Sequence, residues 1–105
     1  SRIEDKLNEI IERIVMVADP DMILLFGSRA SGDQRNDSDY DLLIVKSGLD
    51  NSRKLAKKIY NSLSGIGVPV DLILVNRERM YEHLDDPYMI YGEALKEGKT
   101  LYAKA

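Results

Sequence analysis

Apolar residues recur at steps of three and four through the first part of the chain: Ile3, Leu7, Ile10, Ile11, Ile14 and Val15. That spacing places them on one face of a helix. Ser1 with Glu4 offers a capping box, and Asp19-Pro20 ends the helix, because the residue before proline avoids helical backbone. The pattern then changes. Met22 to Phe26 is a short continuous apolar run, which reads as a buried strand, and it leaves through Gly27-Ser28 into a polar loop. Tyr40 to Val45 reads as a second strand. Val68 to Val75 reads as a third, with Pro69 at its start, where a missing N–H is tolerated. Between these two, Leu55, Ala56, Ile59, Tyr60 and Leu63 form another helical stripe over about 51–64, with Asp50-Asn51-Ser52 to cap it and Ser64-Gly65 to end it. Lys54, Lys57 and Lys58 fall mainly off that stripe, on a solvated side. Asn76 caps a further helix carrying Met80, Tyr81 and Leu84. Asp86-Pro87 starts a last helix, with Tyr88, Tyr91, Ala94 and Leu95 as its stripe and Gly98 as its C-terminal cap. Thr100-Leu101-Tyr102 adds a short edge strand. The expected architecture is α/β (α+β), a mixed sheet of three to four strands flanked by helices, in a single domain over 1–105.

Topology rules say which ends of these strands meet. A strand–helix–strand unit places its two strands parallel and adjacent through a right-handed crossover. The second and third strands, with the helix between them, form such a unit. Asp41 and Asp71 both lie near the beginnings of their strands, so they share one sheet edge. If the first and second strands are antiparallel, Gly27-Ser28 arrives at the same edge. Side chains alternate along a strand, so Asp39, Asp41 and Leu43 share one face, and Tyr40, Leu42 and Ile44 the other. Asp39 and Asp41 stand about 6–7 Å apart at the backbone, close enough for their carboxylates to converge on a cation.

Composition narrows the chemistry. At 105 residues and 44% hydrophobic, the chain can bury one compact core. It opens on Ser1 rather than Met, which suggests a processed or trimmed start. Without cysteine, thiolate catalysis, disulfides and cysteine-type zinc sites drop out, and a cytoplasmic location fits. No apolar run approaches the roughly 18–20 residues that span a bilayer, and no signal peptide is visible. The net charge of -3 lacks the basic excess of a domain that grips long nucleic acid, so a small-molecule or protein acceptor is expected instead.

Three clustered carboxylates repel one another, and bound cations are the simplest compensation. Asp39, Asp41 and Asp71 together suit two Mg²⁺ ions about 3.5–4 Å apart, which clamp the attacking and leaving oxygens of an in-line displacement. Gly27 permits close approach of a phosphate, and Ser28 offers a hydroxyl and a helix-start N–H. Arg29 is a candidate to offset charge on departing pyrophosphate, though an ordinary salt bridge serves it equally. The blander reading of Asp39 and Asp41 is a solvated strand end, and of Gly27-Ser28 a plain turn. His83, the only histidine, has no metal partner nearby in sequence and reads as a surface or boundary residue.

Gly27-Ser28, ten residues, then Asp39-Tyr40-Asp41, with Asp71 in a later strand, resembles the DNA polymerase beta-like nucleotidyltransferase superfamily, and within it the minimal nucleotidyltransferase (MNT) domains. The close from Tyr91 to Tyr102 is similar to the usual end of such domains. The resemblance implies a nucleotidyltransferase fold, with ATP or another nucleoside triphosphate as donor and Mg²⁺ as cofactor. It implies nucleotide phosphates at Gly27 and Ser28, metal at Asp39, Asp41 and Asp71, and transfer of a nucleoside monophosphate to an acceptor hydroxyl. It further implies an antitoxin-type partner of a HEPN toxin, with a tyrosine of the toxin as acceptor. Two alternatives stay open: an antitoxin that neutralises its partner by contact alone, and a transferase acting on a small-molecule acceptor. The acceptor, the preferred base and the oligomeric state are not legible in the chain. Six tyrosines offer sites of self-modification, although Tyr60, Tyr91 and Tyr102 fit core or sheet roles as well.

Overall fold

The computed structural model describes residues 2–27, 39–89 and 91–105. Helix α1 (Arg2–Ala18) leads into β1 (Met22–Phe26), then β2 (Tyr40–Lys46), α2 (Ser52–Ser62), β3 (Val70–Asn76), α3 (Arg77–Glu82), α4 (Tyr91–Glu97) and β4 (Lys99–Ala103). The sheet has four strands in the order β3-β2-β1-β4. Strand β2 runs parallel to β3 and antiparallel to β1, and β1 is antiparallel to β4. The expected mixed sheet with flanking helices is present, and β4 lies at an edge.

Strand alternation sends each of the central strands into two cores. Tyr40, Leu42, Ile44 and Ile23 pack with Ile10 and Ile14 of α1 and Ile59 of α2 on one face. Leu24, Leu43, Val45 and Val75 pack with Met80 of α3 and Ala94 of α4 on the other. The central strands are therefore apolar nearly throughout, as strands covered on both faces must be.

The helix ends follow their caps. Asp19, at φ 45°, returns its N–H to the Val15 carbonyl at 3.0 Å and closes α1 before the buried Pro20. Asn51 accepts from the Lys54 N–H at 3.0 Å and starts α2. Asn76 accepts from the Glu78 and Arg79 N–H groups and starts α3. Among the described residues, no helix is long and apolar enough to cross a membrane.

Two sequence expectations need correction. The last helix does not begin at Asp86-Pro87. The Asp86 carboxylate accepts from the Tyr88 N–H at 2.9 Å and its carbonyl accepts from Met89 at 3.1 Å. That local turn competes with helix, α4 starts at Tyr91, and Tyr88 is 95% exposed. Tyr60 is not a core member of the α2 stripe either. It is exposed, and its hydroxyl accepts from the Leu72 N–H at 3.1 Å, so it caps the outer edge of β3.

Candidate active site

Tyr40 sets the site's geometry from behind. It is among the largest fully buried side chains, and its burial fixes which way the start of β2 faces. With Tyr40 turned into the α1–α2 core, its neighbours Asp39 and Asp41 turn to the opposite side of the strand. The Tyr40 N–H donates to the Pro69 carbonyl at 3.0 Å. This bond ties the start of β2 to the start of β3 and sets the register in which Asp41 pairs with Asp71. Register partners in adjacent strands share a face, so the two carboxylates stand side by side.

Strand β1 approaches from the other flank. Phe26 pairs with Asp41, and Gly27 follows with φ +81°. A Cβ on Gly27 would lie 2.5 Å from Asp41 Oδ2 and 3.4 Å from its Cγ. A side chain here would crowd that carboxylate in its present position, and glycine adopts this backbone readily. Gly27, Asp41 and Asp71 are therefore contiguous across three strands. Asp39, at the mouth of β2, is exposed, as is Asp71, whereas Asp41 is half-buried. Burial pushes the Asp41 carboxyl above its usual pKa, and the charges of Asp71 and then Asp39 push it further. The charges of Asp71 and Asp39 are thus both felt at Asp41. Ser28 and Arg29 lie outside the described residues.

Among the described residues, no three His, Cys, Asp or Glu side chains close into a metal-holding group. The donor set nonetheless fits a hard divalent cation. It consists of carboxylate oxygens only, on an open sheet edge, with a central acid whose ionisation its neighbours oppose. Mg²⁺ takes one or two protein carboxylates and completes its shell with water and substrate phosphates, so an open arrangement suits it.

Sequence reasoning passed over Ile73. It is 38% exposed, two residues beyond Asp71 on the same face, so the acids border an apolar surface. The alternation Val70-Asp71-Leu72-Ile73 carried that signal.

Solved structures resemble this chain. One is a crystal structure of a toxin–antitoxin with AMP-PNP, at 26% identity and a TM-score of 0.60, covering 92% of this chain and 73% of that one. Another is the 1.40 Å structure of a candidate nucleotidyltransferase from Sulfolobus solfataricus, at 21% identity and a TM-score of 0.68, covering 98% and 82%. The second likeness is one of fold. Comparison with curated proteins finds no match. The model of the family described as polymerase beta, nucleotidyltransferase matches residues 8–105, the span that holds Gly27, Asp39, Asp41 and Asp71, and the chain belongs to that family.

Proposed function

We propose that this domain is a Mg²⁺-dependent nucleotidyltransferase that moves AMP from ATP to a hydroxyl acceptor, a tyrosine on a partner toxin of HEPN type. The observation that carries this reading is the pairing of Asp41 with Asp71, with Gly27 packed against the Asp41 carboxylate. Asp39, Asp41 and Asp71 would hold the cations, which supply charge stabilisation at the phosphoryl oxygens and ease loss of the hydroxyl proton. In the transfer, the acceptor oxygen bonds to the α-phosphorus as the bond to the β-bridging oxygen breaks. Pyrophosphate leaves, and the hydroxyl proton passes to solvent. Asp71, exposed on the outermost strand, orients the acceptor. Gly27 and Ser28 would hold the donor's phosphates, and Arg29 would offset charge on the departing pyrophosphate. The AMP-PNP held by the toxin–antitoxin relative supports ATP as donor and a toxin as partner.

The test is label transfer from α-labelled ATP with Mg²⁺, to lysate of the source organism, with Asp39→Asn as control. Label on a discrete protein, absent with the variant and absent without Mg²⁺, is the expected result. Equal labelling by Asp39→Asn would overturn the assignment. Full partner neutralisation by an Asp39→Asn/Asp41→Asn double variant would favour the contact-only antitoxin.

A further inference from the structure

Among the described residues, β3 is an edge strand, with β2 on one side only. The Pro69 carbonyl points inward to Tyr40, and backbone groups alternate along a strand. The N–H and C=O groups of Val70, Leu72 and Leu74 therefore point outward. Tyr60 of α2 reaches over that edge and occupies the Leu72 N–H. A side-chain hydroxyl here stands where a neighbouring strand's carbonyl would stand. Between α2 and the edge runs a groove of about 400 Å³ lined by Ser52, Arg53, Ala56, Leu72 and Leu74.

Charge marks this edge. Arg53 lines the groove and Lys57 follows it one turn along α2, both exposed, whereas Lys54 and Lys58 line a separate groove with Asp50. Among the described residues, the ion pairs are Arg13–Glu9 and Lys104–Asp19, so neither Arg53 nor Lys57 is paired with a carboxylate there. The chain as a whole carries -3, which makes this a local inversion of sign. On the opposite face of β3, Ile73 is exposed beside Asp71.

We propose that the outer edge of β3 is a docking site for an extended acidic segment of a partner protein, which joins the sheet as a fifth strand. The segment's backbone takes the outward groups of Leu72 and Leu74 and displaces the Tyr60 hydroxyl. Its acidic side chains lie on the α2 side. There their methylenes cover Leu72 and Leu74 while the carboxylates reach Arg53 and Lys57. Its alternate side chains fall on the other face, against Ile73, about 4.5–5.5 Å from their cross-strand neighbours, which sets them beside Asp71. A second copy of this chain fits poorly, because β3-to-β3 pairing would bring two basic α2 helices together. Nucleic acid would use the cations but leave the strand edge and Ile73 unfilled. The docking stands independently of the transferase reading, since it is measured without nucleotide.

The experiment is an amide NMR titration of the ¹⁵N-labelled chain with the peptide acetyl-Glu-Val-Glu-Val-Glu-Val-Glu-amide, up to about 1 mM. Shifts should concentrate at Leu72, Leu74 and Tyr60. Tyr60→Phe, which frees the Leu72 N–H, should tighten binding about two- to tenfold, the worth of one hydrogen bond. Arg53→Glu/Lys57→Glu should weaken it at least about tenfold, and the peptide's lysine counterpart should not bind. Absence of shifts, shifts centred on the β4 edge, or unchanged affinity in the charge-reversed variant would each overturn the proposal. So would stronger binding of oligo-dT at the same amides, or a sedimenting homodimer that covers β3.

Discussion

Replacing Gly27 by alanine tests the packing on which the site rests. Two costs follow from the geometry. Gly27 sits at φ +81°, where an L-residue costs about 1–2 kcal/mol. The new methyl would also lie 2.5 Å from Asp41 Oδ2, which is too close for any real pair. The crowded atom is the far end of a side chain, so Asp41 turns aside and the strands stay paired. Forcing it off its rotamer costs about 0.5–1.5 kcal/mol. The combined loss is about 1.5–3.5 kcal/mol, small enough for the fold to survive while the carboxylate leaves its place. In an Asp41→Ala background the crowding vanishes and only the backbone cost remains. Urea unfolding of the four proteins of this cycle should therefore give a coupling of about 0.5–1.5 kcal/mol. The Gly27→Ala single variant, though folded, should lose label transfer. A coupling within about 0.3 kcal/mol of zero, or full turnover by Gly27→Ala, would refute the contact between Gly27 and Asp41.

Other consequences are open to measurement. Because burial and the charges of Asp71 and Asp39 raise the Asp41 pKa, the native state holds that proton more tightly than the unfolded chain. The stability this gives is full below the unfolded value and is lost as pH rises through the native one. Asp41→Asn should accordingly stabilise the domain at neutral pH by about 0.2–1 kcal/mol in urea unfolding, from relief of cross-strand like charge, and should narrow its advantage in acid; no gain at neutral pH would contradict this. Asp21 behaves oppositely: burial opposes its ionisation, but hydrogen bonds from the Ser47 N–H and hydroxyl, with Arg77 and Lys104 nearby, outweigh that and lower its pKa. Its contribution is present above the ordinary carboxylate range and disappears as pH falls through the lowered native value, so Asp21→Asn should flatten the acid limb of a thermal-melt pH profile. Asn76→Ala removes the acceptor for Glu78 and Arg79 and the donor to the Leu49 carbonyl, and should cost about 1–2 kcal/mol in urea unfolding.

Much of this site was legible because strand periodicity and crossover rules act over short stretches of chain. Ser38-Asp39-Tyr40-Asp41 announces both the face of the acids and the buried tyrosine behind them, and the helix at 52–62 forces the parallel pairing that brings Asp71 alongside. Tyr60 was not legible, since a helical stripe gives the same pattern whether a residue at its margin enters a core or leans over a strand edge. Tyr88 misled for a different reason: Asp86 both caps helices and closes local turns, and only the surrounding packing selects between them. Ile73 was written plainly in the alternation of β3, but its exposure depends on how far α3 and α4 extend over the sheet, a tertiary property.

The acids stand on strands of different rank. Asp41 belongs to a strand held on both sides, Asp71 to one held on a single side. Amide hydrogen exchange in a folded domain proceeds through partial openings, and outer strands open at lower free energy than inner ones. The site would then come apart from the Asp71 side well before the domain unfolds. The Asp41 side would persist as a standing platform while the Asp71 side assembles and disassembles around it. Whatever bridges Asp41 and Asp71 closes that opening, so slowed exchange along Val70–Asn76 becomes a direct reading of site occupancy.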